Sequence, residues 1–509
     1  MNNNPLFRFR RKVYLDNNAT TMTAPDVCKV VEKTLRTCYG NPSSNYRDAH
    51  DAAALLDSSR KTVAGSIGAL PEEIIFTGGA SEANNQLLFS CAENAPSGRK
   101  TIVASPIEHP SIIKVLEFLQ KQGIVVRYCT LGSHGRIALD TLASLIDNTT
   151  LLVCIMYANN ETGVLQDIPA IARLAHENGA WMMSDCVQAL GKIPLNVKEL
   201  GVDFASFSAH KIHGPKGTGA AYVRSGLPVS PFIRGGHQED GLRAGTESTH
   251  NIAGFAQACR HIPQSLAAAG RIADLRNKLA EGIKIIMPSA QDNSSQWTLC
   301  NTLSVTFPGF DAAEAIGFLD YNGISVSAGS ACNTHANEPS HVLKALGLSD
   351  EESRQTLRFS LSEKTSAKQI TYTLNVLGDY LERRTMPVTG IHPNQAGENL
   401  LFSDHVFIVD IRRKFDRKLL KGLPNSHETS FSELRSSLEL LPRHKNILVV
   451  CQGGTDGPVA AYYLRSKGIK NVSFLMGGII GWKLFQQALY TAYAGANKQP
   501  LIKNKAEKT

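Results

Sequence analysis

The sequence predicts an α/β protein in three parts: a large α/β domain, a smaller α+β domain and a second α/β domain at the carboxyl end. Three observations support this prediction. Short apolar runs alternate with amphipathic segments in the first half of the chain, an α+β pattern follows, and a stretch without periodicity precedes a last set of apolar runs. At 509 residues, with 42% hydrophobic and 19% charged side chains, the chain is long enough for about three domains and is not disordered in composition.

The large domain, about residues 15–255, is predicted from seven apolar runs of strand length. Helix-like segments at Ser111–Gln122 and Ile168–Glu177 lie between several of these runs, which favours a largely parallel sheet. The runs are Ile74–Phe76, Thr101–Ala104, Ile124–Tyr128, Leu151–Met156, Trp181–Met183, Phe204–Phe207 and Ala220–Val223.

The small domain is predicted over about residues 256–385 together with the N-terminus. Its pattern is helical as far as residue 285, and strand-like runs follow at Thr302–Phe307, Ile324–Ser327 and Leu357–Leu361. Residues 386–399 contain Pro, Gly and Asn without periodicity, so we interpret them as a linker that could extend about 45 Å.

The last domain is predicted over residues 400–490, before a basic tail at 491–509. Its buried-strand candidates are His405–Ile411 and Asn446–Cys451. Residues 401–509 carry 17 Lys and Arg against 8 Asp and Glu, whereas the first 400 residues carry 36 against 37. The whole positive excess therefore lies in the last fifth of the chain, which indicates two parts with different partners.

Cysteine usage and hydropathy indicate a cytoplasmic protein. The ten cysteines are scattered and include no CxxC pair, which excludes a small disulfide scaffold and a zinc knuckle, and we predict no metal site. No run of about 18 apolar residues is present, so no membrane span is expected. The basic N-terminus lacks the apolar core of a signal peptide.

Three polar motifs follow predicted strands of the large domain. Ser208, His210 and Lys211 come at the end of one strand before a Gly/Pro-rich turn, and a lysine there suits Schiff-base chemistry. Asp185 follows the preceding strand, where it could pair with a protonated pyridine nitrogen. Thr77–Glu82 (TGGASE) opens a helix whose free amides could cradle a phosphate. Together these motifs indicate a cofactor site at one edge of the sheet.

Residues 14–381 resemble the cysteine desulfurases, pyridoxal-phosphate enzymes of the class V aminotransferase group. The resemblance is carried by YLDNNATT, GNPSS, FTGGASEANN, EHPS, NNETGVLQDI, SDCVQ, SFSAHKIHGPKG, RAGTES, SAGSACNTHANEPSHVLKALGL and LRFSL, in that order along the chain. It implies a fold-type I PLP-dependent transferase with a large α/β and a small α+β domain.

The resemblance also implies roles for individual residues around pyridoxal 5'-phosphate. Lys211 would carry the cofactor as a Schiff base, Asp185 would pair with its ring nitrogen, and His109 would stack on its ring. Asn160 and Gln188 would lie near the 3-hydroxyl group. The phosphate would be held by Ala80, Ser81, Ser208 and His210, and Thr246 would reach the phosphate of a partner subunit, which implies a homodimer.

The same resemblance assigns the substrate and the first sulfur carrier. L-cysteine would be held through its carboxylate by Arg358, with help from Asn41. Lys211 would remove the Cα proton, His109 would relay a proton from the substrate thiol, and the Cys332 thiolate would attack the substrate sulfur. The products would be L-alanine and a persulfide on Cys332, which lies in a loop rich in small residues.

Cys451 lies between a predicted strand and a helix, in the loop CQGGTDG. Backbone amides of such a loop can stabilise a thiolate or a persulfide. With VDIR and GGIIGW, this loop gives residues 400–487 a resemblance to a single rhodanese domain. Rhodanese loops commonly carry Arg or Ser where this one has Gln452, Thr455, Asp456 and Gly457, and Asp456 should raise the thiol pKa, so thiosulfate turnover is not expected.

These observations lead to the hypothesis of a relay in which cysteine sulfur passes to Cys332, then to Cys451, then to an acceptor protein such as an iron–sulfur scaffold or a thiolation enzyme. Two alternatives stay open. A selenocysteine lyase would share the fold and most motifs, and a sulfur-carrier or docking protein would have a degenerate C-terminal domain. Direct nucleic-acid binding is not expected, because the basic end lacks interleaved aromatic residues.

Overall fold

A computed structural model describes residues 13–328, 339–384, 388–401, 403–431, 433–454 and 456–496. The described chain forms two compact units. The larger unit contains the described residues of Lys12–Phe310 and Ser325–Leu374, and the second unit contains those of Asp311–Ile324 and Asn375–Thr509. Within the described ranges, no helix is both long and apolar enough to cross a membrane.

The elements follow one another in an alternating order. Up to residue 310 they are β1 (Val13–Tyr14), α1 (Pro25–Thr37), α2 (Arg47–Ser66), β2 (Ile74–Thr77), α3 (Ala80–Glu93), β3 (Thr101–Ala104), α4 (Pro110–Lys121), β4 (Val125–Tyr128), α5 (Leu139–Leu145), β5 (Thr150–Cys154), α6 (Ile168–Glu177), β6 (Trp181–Asp185), α7 (Val197–Leu200), β7 (Phe204–Ser208), β8 (Gly219–Val223), α8 (Thr249–Cys259), α9 (Ile262–Ala267), α10 (Ala269–Ile286), β9 (Gln291–Asp292) and β10 (Thr302–Thr306). Beyond residue 310 they are α11 (Ala312–Tyr321), β11 (Ile324–Ser325), β12 (Ser327–Ala328), α12 (His341–Ala345), α13 (Asp350–Arg354), β13 (Thr356–Ser360), α14 (Ala367–Arg384), β14 (Thr389–Ile391), α15 (Glu398–Leu401), β15 (Val406–Asp410), α16 (Lys414–Leu419), β16 (His427–Glu428), β17 (Asn446–Val450), α17 (Asp456–Ser466), β18 (Val472–Leu475) and α18 (Gly478–Ala496).

A seven-stranded sheet in the order β2-β8-β7-β6-β5-β3-β4 forms the centre of the larger unit. The neighbouring pairs from β7 to β4 are parallel, while β8 runs antiparallel to both β2 and β7. All seven predicted apolar runs lie in this sheet, and the predicted largely parallel arrangement is confirmed, with β8 as the exception.

Alternate residues of these strands bury against different helices, as the two faces of a pleated sheet require. Val103, Met182 and Phe207 pack in one core cluster with residues of α2, α6 and α8. Ile102, Met183 and Phe204 pack in another with residues of α3 and α4. Because both faces of the sheet are covered, the strands other than the edge strand β4 are largely apolar, and polar side chains concentrate near their ends.

A smaller antiparallel sheet, β12-β13-β10-β9, completes the larger unit. In the central strand β13, Arg358 pairs in register with Ser304 of β10 and Ser327 of β12. Ser360, at the end of the same strand, accepts a hydrogen bond from the Asn17 amide and donates its own amide to the Leu15 carbonyl. These contacts bring the YLDNN segment beside β13.

The second unit contains a parallel sheet in the order β14-β18-β17-β15-β16. Its first strand falls inside the predicted linker 386–399, because Thr389–Ile391 pairs with β18 and Ala396 is buried in the core of this sheet. This part of the segment is therefore folded, which shortens the tether that the sequence predicts. A three-residue strand shows too little alternation to be recognised.

The predicted small domain, about residues 256–385, is also divided differently in the structure. Helix α11 packs in the second unit, where the Tyr321 ring lies against Phe431 and Tyr463, with ring centroids 4.1 and 4.4 Å apart. The Tyr321 hydroxyl donates to the Phe431 carbonyl. Such long-range aromatic contacts leave no trace in local periodicity.

Candidate active site

A cavity of about 730 Å³ opens where strands of the seven-stranded sheet end. Gly78 and Gly79 follow β2, Asp185 ends β6, and Ser208 ends β7, and all of them line the cavity. Strands β2, β6 and β7 point the same way, so their carboxyl ends meet at one edge. The three sequence motifs are thereby brought to a single site.

Lys211 lies in the short turn after β7. Its Nζ donates hydrogen bonds to the backbone carbonyls of Asn18, at 2.6 Å, and Ala19, at 2.9 Å. Neutral carbonyls hold the amine in place without adding a counter-ion. The amine is thus positioned in the cavity by the YLDNNATT segment from the start of the chain.

Asp185 and His109 are joined by a chain of hydrogen bonds. The Asn84 Nδ2 donates to Asp185 Oδ2 and to Ser111 Oγ, both at 3.0 Å. The Ser111 hydroxyl lies 2.8 Å from His109 Nδ1, and the Ser111 amide donates to the same nitrogen at 3.1 Å. The Val187 amide donates to Asp185 Oδ1 at 3.0 Å. Both side chains therefore have fixed orientations in the cavity wall.

His109 caps α4 with the nitrogen that accepts these bonds. Since Nδ1 accepts from the Ser111 amide, the proton of the neutral ring lies on Nε2. Burial lowers the pKa of His109 below its usual value, and the charges of Lys211 and His341 lower it further, against the opposing effect of Asp185. The imidazole is therefore neutral at pH 7 and able to accept a proton.

The start of α3 has the geometry of an anion cradle. Gly79 has φ of 152°, and a Cβ there would meet no atom within 4 Å; the next two residues, Ala80 and Ser81, line the cavity. Amides in the first turn of a helix have no partner within the helix. The acidic Glu82 is held by the Gly78 amide at 2.8 Å and by Arg243 Nε at 2.9 Å.

Ser208 and His210 complete the same side of the cavity. Ser208 is 4% exposed. His210 Nδ1 lies 3.1 Å from the Thr20 hydroxyl, and burial together with the neighbouring lysines 211, 216 and 192 lowers its pKa to about 4. The ring is therefore a neutral hydrogen-bonding group at pH 7.

Gln188 and Asn160 line the cavity on either side of Asn18. The Gln188 Nε2 donates to the Asn18 carbonyl at 2.9 Å, and the Asn18 Nδ2 donates to the Asn160 carbonyl at 3.2 Å. Both residues are therefore hydrogen-bonded to Asn18. The sequence motifs did not indicate this role of Asn18, because its partners lie far along the chain.

Arg358 enters the cavity from the antiparallel sheet and is 1% exposed. Its Nη2 pairs with Asp16 Oδ1 at 2.8 Å and its Nη1 donates to the Asn160 carbonyl at 3.0 Å. Its Nε has no hydrogen-bond partner within the described part of the chain. A buried donor without a partner is costly, so this nitrogen is suited to bind a ligand carboxylate.

Two of the described residues predicted for this site do not line the cavity. Asn41 and Thr246 are exposed and do not line it in the single chain. Cys332 lies outside the described residues. The role of Thr246 is predicted toward a partner subunit, so its position on the surface of one chain does not test that prediction.

Cys451 follows β17 in the second unit and is 1% exposed. The Gly454 amide donates to its Sγ at 3.1 Å. Burial raises the pKa of the Cys451 thiol above its usual value; the amides of Gly454 and Gly457 oppose this effect, and the Asp456 carboxylate adds to it. The nearby Arg412 is engaged with Asp410 through a 2.7 Å ion pair.

Comparison with known proteins decides the family. The Aminotransferase class-V family matches residues 13–372. A cysteine desulfurase of Nostoc sp. (strain PCC 7120 / SAG 25.82 / UTEX 2576) is 38% identical over 376 residues, which are 73% of this chain and 93% of the relative. The chain belongs to the cysteine desulfurases of this family.

Solved structures agree with this assignment. A NifS-like protein matches with a TM-score of 0.69 and 36% identity over 73% of this chain and 100% of the other. A structure described as SspA in complex with cysteine matches with a TM-score of 0.63 and 35% identity over 70% of this chain and 100% of the other. The Rhodanese-like domain family matches residues 394–484. The chain is therefore a cysteine desulfurase family member with a C-terminal rhodanese-like domain.

Enzymes of this family depend on pyridoxal 5'-phosphate, and the cavity fits this cofactor. The open helix start at Ala80 suits the phosphate, the buried Asp185 carboxylate suits a protonated ring nitrogen, and the Lys211 amine suits the aldehyde. When bound, the cofactor withdraws electrons from the substrate Cα, the carbon that carries the substrate amino group.

The sequence motifs assigned no role to some further residues of the site. The buried Glu161 accepts a hydrogen bond from the Ser340 hydroxyl at 2.5 Å, and burial raises its pKa to about 7. His341 lies 2.9 Å from the Glu108 carbonyl through Nε2 and lines the cavity. Glu161, Ser340 and His341 all lie within quoted motifs, so the motif letters were the available signal, but only the fold brings them together.

Proposed function

We propose that this desulfurase converts L-cysteine to L-alanine, holds the sulfur as a persulfide on Cys332 and passes it to Cys451 of the rhodanese-like domain. The observation that supports the first half is the convergence of Lys211, Asp185, His109 and Arg358 on one cavity. The relative whose structure is described in complex with cysteine supports this choice of substrate.

Lys211 and Asp185 have complementary tasks. The Lys211 amine, directed by the carbonyls of Asn18 and Ala19, takes the proton from the substrate Cα. Asp185, fixed by Asn84 and by the Val187 amide, presents a carboxylate whose negative charge favours protonation of the ring nitrogen. Asp185 ends β6 and Lys211 follows β7, and since these neighbouring strands are parallel, both side chains reach the same cavity.

His109 and Arg358 act on the two ends of the substrate. Arg358 binds the carboxylate, with Nε as the donor that lacks a protein partner among the described residues. His109, neutral at pH 7, takes up the thiol proton at Nδ1, the ring nitrogen that carries none, by way of the Ser111 hydroxyl that lines the cavity. The Cys332 thiolate then attacks the substrate sulfur; an S–S bond forms as the C–S bond breaks, and the carbon takes up a proton to leave as alanine.

The rhodanese-like domain supports the second half of the proposal. In the same exchange chemistry, the Cys451 thiolate attacks the outer sulfur of the Cys332 persulfide, and the Cys332 thiol is restored. The cradle of amides around Cys451 can hold the product. We further propose a homodimer, with Thr246 facing the partner subunit, and an acidic acceptor protein attracted by the basic end, either an iron–sulfur scaffold or a thiolation enzyme.

The test is a single turnover of L-cysteine on the purified holoenzyme. Lys211→Ala should lower alanine formation by roughly 100-fold to 10,000-fold. Cys332→Ser should abolish persulfide formation, and Cys451→Ser should leave alanine formation unchanged but stop delivery to the acceptor. Full delivery by Cys451→Ser would reject the relay, and alanine formation by Lys211→Ala at the normal rate would reject the assigned site.

A further inference from the structure

A second lysine, Lys192, lies behind the cofactor lysine. Its Nζ donates to the Asn18 Oδ1 at 3.0 Å and also to the Gln188 Oε1. The side chain lines a narrow pocket of about 40 Å³ together with Lys211 and Cys300. None of the roles assigned above uses this amine.

The bonds from Lys192 and to the Asn18 carbonyl together fix which end of the Gln188 amide faces which neighbour. The Lys192 nitrogen donates hydrogen bonds to two acceptor oxygens, and the oxygen of the Gln188 amide therefore faces Lys192. The Nε2 group then faces the other way, where one of its hydrogens is donated to the Asn18 carbonyl. Its second hydrogen is left for a ligand in the cavity, which Gln188 lines.

This orientation does not depend on whether Lys192 is charged. Burial, together with the charges of Lys211 and Arg358 and against the opposing effect of Cys300, lowers the pKa of Lys192 to about 7. The neutral amine still has two hydrogens, one for each acceptor oxygen. The geometry therefore holds on both sides of pH 7.

We propose that Lys192 is a positioning residue that fixes the Gln188 amide so that it donates a hydrogen bond to the ring oxygen of the bound cofactor. This inference rests on the proposed function, which places Gln188 beside the 3-hydroxyl group. A donor at that position stabilises the ionised ring oxygen and so favours the less protonated form of the cofactor. Lys192 acts through Gln188 and contacts no reacting atom.

The experiment is a pH titration of the visible absorption band of the holoenzyme. Lys192→Met should raise the apparent pKa of the band by about one unit. Without Lys192 the Gln188 amide no longer donates steadily to the ring oxygen, and loss of that hydrogen bond favours the protonated form of the cofactor. Lys278→Met, at an exposed position on α10, is the matched control and should titrate like the parent enzyme. In a Gln188→Ala background, Lys192→Met should add less than half of that shift.

Two outcomes would overturn the inference: a Lys192→Met band that titrates like that of the parent, or the same shift with and without Gln188. If Lys192→Met does not fold, Lys192→Gln, which keeps one donor, should titrate between the parent and Gln188→Ala; a titration identical to Gln188→Ala would reject the role. A parent enzyme without a visible band would instead contradict the proposed function, so the two failures are distinguishable.

Discussion

Asn18 shows how single residues assemble this site. Its carbonyl accepts from Lys211 and Gln188, and its side chain joins Lys192, Asn160 and residues of the antiparallel sheet. One of these bonds, to the Thr302 hydroxyl, spans 284 positions of the sequence. Its replacement would disturb several groups at once, whereas residues that join only two partners allow cleaner tests.

Asn84 offers such a test, because it links Asp185 to Ser111 from the buried side of α3. Asn84→Ala should lower kcat roughly tenfold, since a hydrogen bond to a charged group contributes about 1.5 kcal/mol. The control is Asn85→Ala, whose side chain donates only to the Ser81 carbonyl in its own helix among the contacts described. Steady-state alanine formation is the measurement, and equal rates for the two variants would contradict the assigned link.

The lowered pKa of His109 predicts the acid side of the pH profile. Burial disfavours the imidazolium, so the ring stays neutral and able to accept a proton to below its usual pKa of about 6.5. The acid limb of kcat/KM should therefore lie below pH 6.5. A profile measured between about pH 5 and 9 tests this, with His109→Gln as the variant that should lose the limb. A limb above pH 6.5 in the parent enzyme would contradict the assignment.

At the scale of elements, the sequence predicts the strands more readily than the contacts between distant segments. The seven apolar runs appear as β2–β8 because strands covered on both faces must be apolar. The short β14 was missed, since three residues carry too little pattern. The cofactor motifs could be found because each follows a strand, but Glu161, Ser340 and Lys192 take their roles from contacts between distant segments, which local sequence cannot show.

Helix α12 begins at the cavity and provides a test of its anchoring. Ser340 caps this helix through the Leu343 amide and donates to the buried Glu161. Ser340→Ala should cost about 1–3 kcal/mol, because a cap is lost and a buried carboxyl loses its donor. Ser349→Ala removes the exposed cap of α13 and should cost only about 1 kcal/mol. Hydrogen exchange of the two helices measures the difference, and equal effects would contradict the anchor.

The loop that holds Cys451 gives a matched pair of glycines. Gly454 has φ of 98°, and a Cβ there would lie 2.9 Å from the Gly477 amide nitrogen, whereas a Cβ on Gly453 would meet no atom within 4 Å. Gly454→Ala should therefore cost about 1–2 kcal/mol and displace the amide that donates to Sγ. Gly453→Ala should be close to neutral. Unfolding and the rate of sulfur loading onto Cys451 measure the effects, and a loading rate unaffected by Gly454→Ala would reject the cradle.

At the scale of the whole molecule, the sequence divides the chemistry between two family domains of different charge. The desulfurase part is nearly neutral, as suits a zwitterionic substrate, and the basic excess lies with the rhodanese-like part. For the proposed relay, joining the two domains in one chain raises the effective concentration of Cys451 relative to Cys332. The Cys451 loop carries Asp456 where a cation would favour an anionic donor such as thiosulfate, so we predict no thiosulfate turnover.

The most direct test of the account is to map sulfur after one turnover with isotopically labelled L-cysteine. Peptides that contain Cys332 and Cys451 are separated and their labelled sulfur is measured by mass spectrometry. The relay predicts label on both cysteines in the parent enzyme, on Cys332 alone in Cys451→Ser, and on neither in Cys332→Ser. Label on Cys451 in the Cys332→Ser enzyme, or an unlabelled Cys451 beside a fully labelled Cys332 in the parent, would contradict it.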